Sequence, residues 1–161
     1  MPIAQLNIGI TRYPVDDPRM IGFTGRIEII NSIADRSDGF IWRLIDDSDK
    51  DGALDLRLPG QEDILVNMSV WRDIDSLFHY VYKTAHAKVM RDRADWFEPL
   101  KDRHLVLWYV PEGHIPSLEE ANDCLQLLQA NGPCPDAFTF DVPFTEAGVP
   151  ISPNFPKKDC A

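Results

Sequence analysis

A chain of 161 residues, 44% of them hydrophobic, can bury one sizeable core and is too apolar for a disordered polymer, so a single domain is expected. Its 16 Lys and Arg against 26 Asp and Glu leave a formal charge of -10, whose field repels phosphate and argues against bare nucleic acid or an anionic membrane surface as partners. No N-terminal run has the order of a signal peptide and no apolar stretch approaches the ~20 residues of a membrane span, so a cytoplasmic protein is expected.

Ile3, Gln5, Asn7 and Gly9 alternate with Ala4, Leu6, Ile8 and Ile10, which predicts a first strand with one polar-bearing and one apolar face. Asp16 or Asp17 can cap a following helix with Pro18 in its first turn, and Met20, Phe23, Ile27, Ile30 and Ile33 continue it at helical spacing. Gly22 and Gly25 each weaken that helix by ~1 kcal/mol relative to Ala, and they would let it approach the sheet closely. Ser37-Asp38-Gly39 signals a turn with Gly39 at positive φ, before a strand over 40–46 in which Phe40, Trp42 and Leu44 oppose Ile41, Arg43 and Ile45. From Asp46 to Glu62 the chain reads as an acidic, solvated loop. Its DDSDKDG core has acids at alternate positions, but the Gly and closing Glu of a calcium loop are out of register, so no metal site is expected.

The central stretch, Asp63 to Glu98, passes from a strand period to a helical one. Ile64, Val66, Met68 and Val70 form a wholly apolar strand face, with Leu65, Asn67, Ser69 and Trp71 on the other. Asp73 can cap a long helix striped by Ile74, Leu77, Phe78, Val81, Tyr82, Ala85 and Val89. A strand over 103–111 sets His104, Val106, Trp108 and Val110 against Arg103, Leu105, Leu107 and Tyr109. Ser117 and Glu120 make the clearest capping box, opening a helix that Gly132 ends. Ala137 to Val142 reads as a last short strand. Cys124, Cys134 and Cys160 match no metal-binding spacing and read as ordinary thiols.

The order strand, helix, strand, loop, strand, helix, strand is the split β-α-β arrangement. The expected fold is therefore α+β: a ferredoxin-like antiparallel sheet with helices on one face. Each strand also carries large apolar or aromatic residues on its second face, and two copies with their sheets facing each other would cover that patch. The expectation is a homodimeric α+β barrel over residues 1–142, with an extra C-terminal helix at 117–131 and a Pro-rich tail at 143–161.

Asn67-Met-Ser-Val-Trp71, followed by a helix carrying Leu77, His79 and Thr84-Ala85-His86, resembles the antibiotic-biosynthesis-monooxygenase group of dimeric α+β barrels. Ala4-Gln-Leu-Asn-Ile, Asp17-Pro-Arg-Met, Gly39-Phe-Ile-Trp-Arg, Ala85-His-Ala, Trp96-Phe and Leu107-Trp-Tyr-Val-Pro are similar to an uncharacterised bacterial family of that superfamily, over residues 2 to 142. The first resemblance implies a cofactor-independent monooxygenase whose pocket for a phenol is lined by an Asn, a Trp four residues on, a Tyr on the next helix and an Arg farther along. Asn67, Trp71 and Arg91 match; Leu77 stands where the Tyr would be, and Tyr82 is the nearest substitute.

His79, Tyr82 and His86 share one side if the helix runs unbroken. A histidine near neutrality can move a phenol proton while Tyr82 and Asn67 hold the oxygen. It can equally ligate haem iron, as in other branches of the superfamily. The bland readings are an exposed His79, a His86 bonded to a backbone carbonyl, tryptophans that only pack, a hydrogen-bond partner for Asn67 in mid-strand, and a buried network linking Arg43 to Asp or Glu. Turn hydrogen bonding accounts for His114. The candidate catalytic residues are thus His86, Asn67 and Arg91, and the candidate ligand contacts Trp71, Tyr82 and Arg43, with no metal and no cofactor. Two functions follow: oxygenation of a small aromatic phenol or quinol, or a non-catalytic dimeric ligand-binding or stress-related module.

Overall fold

The computed structural model describes residues 1–46 and 53–152, so most of the DDSDKDG segment, Cys160 and the end of the tail lie outside the described residues. Strands β1 (Ile3–Ile10), β2 (Phe40–Arg43), β3 (Ile64–Trp71) and β4 (Leu105–Tyr109) form one sheet in the order β2-β3-β1-β4. Every neighbouring pair is antiparallel, as in the ferredoxin-like arrangement. β1 sits at the centre, pairing Asn7 with Asn67 and Gln5 with Ser69 on β3, and Ala4 with Trp108 on β4. β2 ends at Arg43, short of the expected 46, and its register on β3 shifts between Phe40 and Trp42. Residues 137–142 add single bridges rather than a strand; Phe138 exchanges two backbone hydrogen bonds with Leu107 at the β4 edge.

Both long helical stretches are interrupted. The first begins as expected, with the Asp17 carboxylate accepting from the Arg19 amide ahead of Pro18. It then divides into α1 (Ile21–Thr24) and α2 (Ile27–Asp35), parting at Gly25. Gly22 lies against Trp96, where a Cβ would stand 2.9 Å from the indole, so its small size serves a contact with the 93–97 turn rather than with the sheet. The second divides into α3 (Ile74–Lys83) and α4 (His86–Asp92). Asp73 caps α3 through the Ser76 amide at 2.7 Å. At the break, Thr84 takes an extended backbone while its hydroxyl donates to the Tyr80 carbonyl at 2.6 Å, a local bond that competes with helix continuation. The same oxygen accepts the His86 amide at 3.2 Å and starts α4.

α5 (Leu118–Asn131) begins at Ser117, whose Oγ accepts from the Glu120 amide. The Glu120 carboxylate does not turn back to complete the box; it accepts from Trp108 Nε1 at 2.9 Å and meets His114 Nε2 at 2.7 Å. His114 also makes the expected turn bond to Pro111.

The two sheet faces are covered differently. Ile3, Trp71 and Leu107 pack with α2, α3, Phe138, Phe140 and Phe144. The wholly apolar face, Ala4, Leu6, Ile8, Val66, Met68, Val70, Val106 and Trp108, packs against Ala121, Leu125 and Leu128 of α5 and against Leu58. From the sequence, a second copy was expected to shelter the face away from the main helices. Here the extra C-terminal helix shelters it, so burial alone does not require a dimer. Residues 143–152 of the Pro-rich tail are anchored on the sheet: Phe144 is buried and its carbonyl accepts from the Tyr109 hydroxyl at 2.9 Å. Among the described residues no helix is long and apolar enough to cross a membrane.

Gly39 has φ +79°, as its turn requires, and an added Cβ would stand 2.3 Å from Ser76 Oγ, so this turn accepts glycine alone. If α5 is an integral cover of the sheet, Leu125→Ala costs about 2–5 kcal/mol, as a large-to-small change in a filled core does. Urea denaturation checks this; a loss under ~0.5 kcal/mol, the scale of a surface substitution, would mean that α5 is only loosely docked.

Candidate functional site

The face of the sheet under α1 to α4 is not uniformly apolar. Antiparallel pairing sets Gln5, Asn7, Asn67 and Ser69 side by side across β1 and β3. Helices cannot seat greasy side chains flush on such a row without stranding its polar atoms. A cavity of about 190 Å³ lies between this row and the helices. An apolar cavity of ~150 Å³ holds a benzene, so this one has the scale of a one-ring or small two-ring compound.

The polar row is internally bonded. Gln5 Nε2 donates to Asn67 Oδ1 at 2.7 Å and to Ser69 Oγ at 3.0 Å, and Trp71 Nε1 donates to the same Ser69 oxygen at 2.9 Å. Asn67 thus has the hydrogen-bond partner its mid-strand position calls for, yet it is itself exposed in the middle of a central strand. Its Oδ1 is engaged, which leaves the Nδ2 hydrogens to donate into the cavity it lines. Trp71 has a different place from the one the resemblance implies. It is fully buried, T-shaped to Phe40 and stacked on Tyr80 at 4.9 Å, and it does not line the cavity. Tyr80 stands between Trp71 and His86, whose ring centroid is 4.8 Å away.

His86 reaches the cavity because of the break at Thr84. Where α3 stops, the Val81 carbonyl loses its helical donor, and His86 Nδ1 turns back to it at 3.3 Å. A carbonyl only accepts, so Nδ1 carries the proton and Nε2 holds a lone pair. Burial lowers the His86 pKa, which keeps the ring neutral near pH 7. Tyr82 also lines the cavity, packed on Phe78 at 4.6 Å and against Phe140. His79 is exposed on α3 and does not line the cavity with Tyr82 and His86.

Three guanidinium groups, Arg26, Arg43 and Arg93, line the cavity together with His104, and among the described residues none of its lining is Asp or Glu. Arg91, the arginine suggested by the resemblance, is exposed on α4 and is not among them. The turn after α4 brings Arg93 inward instead, against Phe97. Arg26 pairs with Asp92 at 3.3 Å. Arg43 holds Asp35 through Nε at 2.8 Å and Nη2 at 3.4 Å, the acidic partner expected for it. Its third nitrogen, Nη1, is buried with no acceptor in the protein.

A metal-binding histidine is often oriented through its second nitrogen as His86 is. The residues present still do not fit haem, because 190 Å³ is below the ~300 Å³ at the lower end of ligand pockets and a porphyrin does not fit there. Among the described residues no group of three His, Cys, Asp or Glu is placed to hold a metal ion. Cys124 and Cys134 are free, and burial pushes the Cys124 thiol up to about 12, far from thiolate reactivity.

Gln5, Asn7, Arg26, Arg93 and His104 belong to the site without having been singled out in the sequence. The polar alternation of β1 was a usable signal, since pairing it antiparallel with β3 puts Gln5 and Asn7 beside Asn67. Arg26 and Arg93 carried none, because each follows a helix break.

Fold and site together define a small α+β protein with a ferredoxin-like sheet and a cationic, half-apolar chamber under its helices. The chain belongs to the family described as "Domain of unknown function (DUF3291)", whose model matches residues 2–152. No curated protein matches the chain. Among solved structures it is similar to SnoaB, a cofactor-independent oxygenase from Streptomyces nogalater, at 13% identity and a TM-score of 0.47, covering 72% of this chain and 98% of that one.

His86 yields a stability prediction. Its folded pKa lies below the ordinary 6.5, so the unfolded chain takes up a proton that the folded chain refuses. The stabilisation is present above pH ~6.5 and is lost as pH falls through the folded value. Wild type therefore loses stability from pH 7 toward pH 5, and His86→Gln flattens that loss; His104, which burial also lowers, supplies the remainder. Urea titrations across this range decide it, and equal slopes in both proteins would refute the buried neutral ring.

Proposed function

We propose that this protein binds a small phenol or quinol in the chamber between sheet and helices and oxygenates it without a bound cofactor. The observation that carries the reading is His86: its Nδ1 is held by the Val81 carbonyl and its Nε2 keeps a lone pair, in the same chamber that Asn67 lines. In this reading Nε2 takes the phenol proton and an Asn67 N–H donates to the phenolate oxygen. The electron-rich ring then reduces dioxygen directly. Dioxygen bonds to a ring carbon of the phenolate, that carbon's C–H becomes C=O as the O–O bond breaks, the second oxygen atom leaves as water, and the phenol ends as a quinone; the substrate supplies all four electrons, so no external reductant is consumed. Tyr82 and Arg43 contact the ligand. Trp71 acts only through Ser69 and Tyr80, and Arg91 has no part.

A second reading is binding without chemistry. It is favoured by Leu77, an apolar residue lining the chamber where the resemblance expects a tyrosine hydroxyl. Assembly as a homodimer is a separate proposal, checked by sedimentation velocity.

Tryptophan fluorescence with phenol and naphthalenediols measures binding, and an oxygen electrode measures turnover. For a general base, His86→Gln lowers turnover by about 10²–10⁴ with little change in binding. Asn67→Ala weakens binding by about tenfold, the loss of a hydrogen bond to a charged oxygen. Binding with no oxygen uptake by wild type would establish the second reading; absence of binding would end both.

A further inference from the structure

We infer that the natural ligand is a small aromatic acid, whose carboxylate is held at the Arg43 side of the chamber. The inference rests on the chamber being a ligand site, as proposed above, and adds the ligand's charge class.

The first observation is the distribution of charge. A chain with 26 acidic residues and a net charge of -10 places three arginines around one chamber, and no carboxylate among the described lining residues. Cations gathered beside apolar walls such as Leu77, Val81 and Leu105 repel one another and attract an anion that carries apolar surface. A neutral phenol uses none of this field.

The second observation is the state of Arg43. Asp35 engages Nε and Nη2 and fixes the plane of the guanidinium, while Asp35 itself remains 42% exposed. The Arg43 side chain is only 14% exposed, and its Nη1 is shielded from water with no protein acceptor. A buried charged donor without an acceptor is a costly arrangement, and a carboxylate oxygen relieves it. Because Nη1 is shielded, the wall gives by a small side-chain rotation when the ligand enters. Arg26 is tied to Asp92, so Arg43 is the better-oriented anchor. A planar carboxylate suits the volume and a single remaining donor better than a phosphate, which offers three oxygens to satisfy.

The probes are phenol, 4-hydroxybenzoate, its methyl ester and phenyl phosphate, titrated calorimetrically into the full-length protein at pH 7.5. The expected result is 4-hydroxybenzoate binding at least about tenfold more tightly than its ester, the scale of one charge-assisted hydrogen bond. Arg43→Gln abolishes that preference, Arg43→Lys retains part of it, and Lys88→Gln on the exposed side of α4 leaves both the preference and phenol affinity intact. Should Arg43→Gln fail to fold, the acid-to-ester ratio of wild type and of Arg43→Lys carries the test. An ester that binds as well as the acid, with phenol still bound, overturns the inference and spares the pocket. A preference that survives Arg43→Gln overturns the anchor, and tighter phenyl phosphate overturns the carboxylate. If none of the four binds, the pocket reading itself fails.

Discussion

Amide side chains in the middle of a β-sheet constrain everything built over them. Gln5 and Asn67 face each other diagonally across β1 and β3, bonded at 2.7 Å, with Ser69 and the Trp71 indole completing the chain of bonds. A helix laid directly on that row would remove water from its polar atoms and return only apolar contacts. Helices α1 to α4 instead stand off it, and the gap is the chamber. The opposite face has no such row and is closed by α5 and Leu58 with buried side chains throughout. One sheet thus has one sealed face and one face that leaves a chamber beneath its helices.

The helix breaks follow the same logic. An unbroken second helix would have satisfied the Val81 carbonyl from the backbone and carried the following residues past the chamber. By stopping at Thr84, the chain gives that carbonyl to His86 instead. The histidine thereby gains a defined tautomer, a fixed position against Tyr80 and a free Nε2. The second break, at Gly25, lies beside Arg26, which lines the chamber and reaches across to Asp92 at the end of α4. That ion pair ties the break at Gly25 to the C-terminal end of α4.

Much of this was legible from the residues. β1, β3 and β4 follow from period-two alternation, α3 and α5 from Asp73 and Ser117 with the stripes behind them, and the turn from Gly39. Asn67 was conspicuous as a polar residue in an apolar strand, and Arg43 as a charge in another. Arg91 and Arg93 were not distinguishable: they differ by two positions on a stretch whose helical phase changes at Asp92, and only the actual turn decides which one faces inward. Trp71 matched a spacing, yet a strand residue's side chain is placed by what packs beside it, and here Tyr80 takes the position next to the chamber.

By itself, the order of residues determined local matters: which segments alternate, where helices are capped, that the chain is acidic, and that one strand face tolerates amides. These are set by bonds between near neighbours and by simple periodicity. Which element covers each face, how the two helices are interrupted, and which arginines converge on one chamber were decided by the tertiary structure. Those outcomes depend on competition between distant groups for the same surface and the same hydrogen-bond acceptors, and no local pattern records who wins.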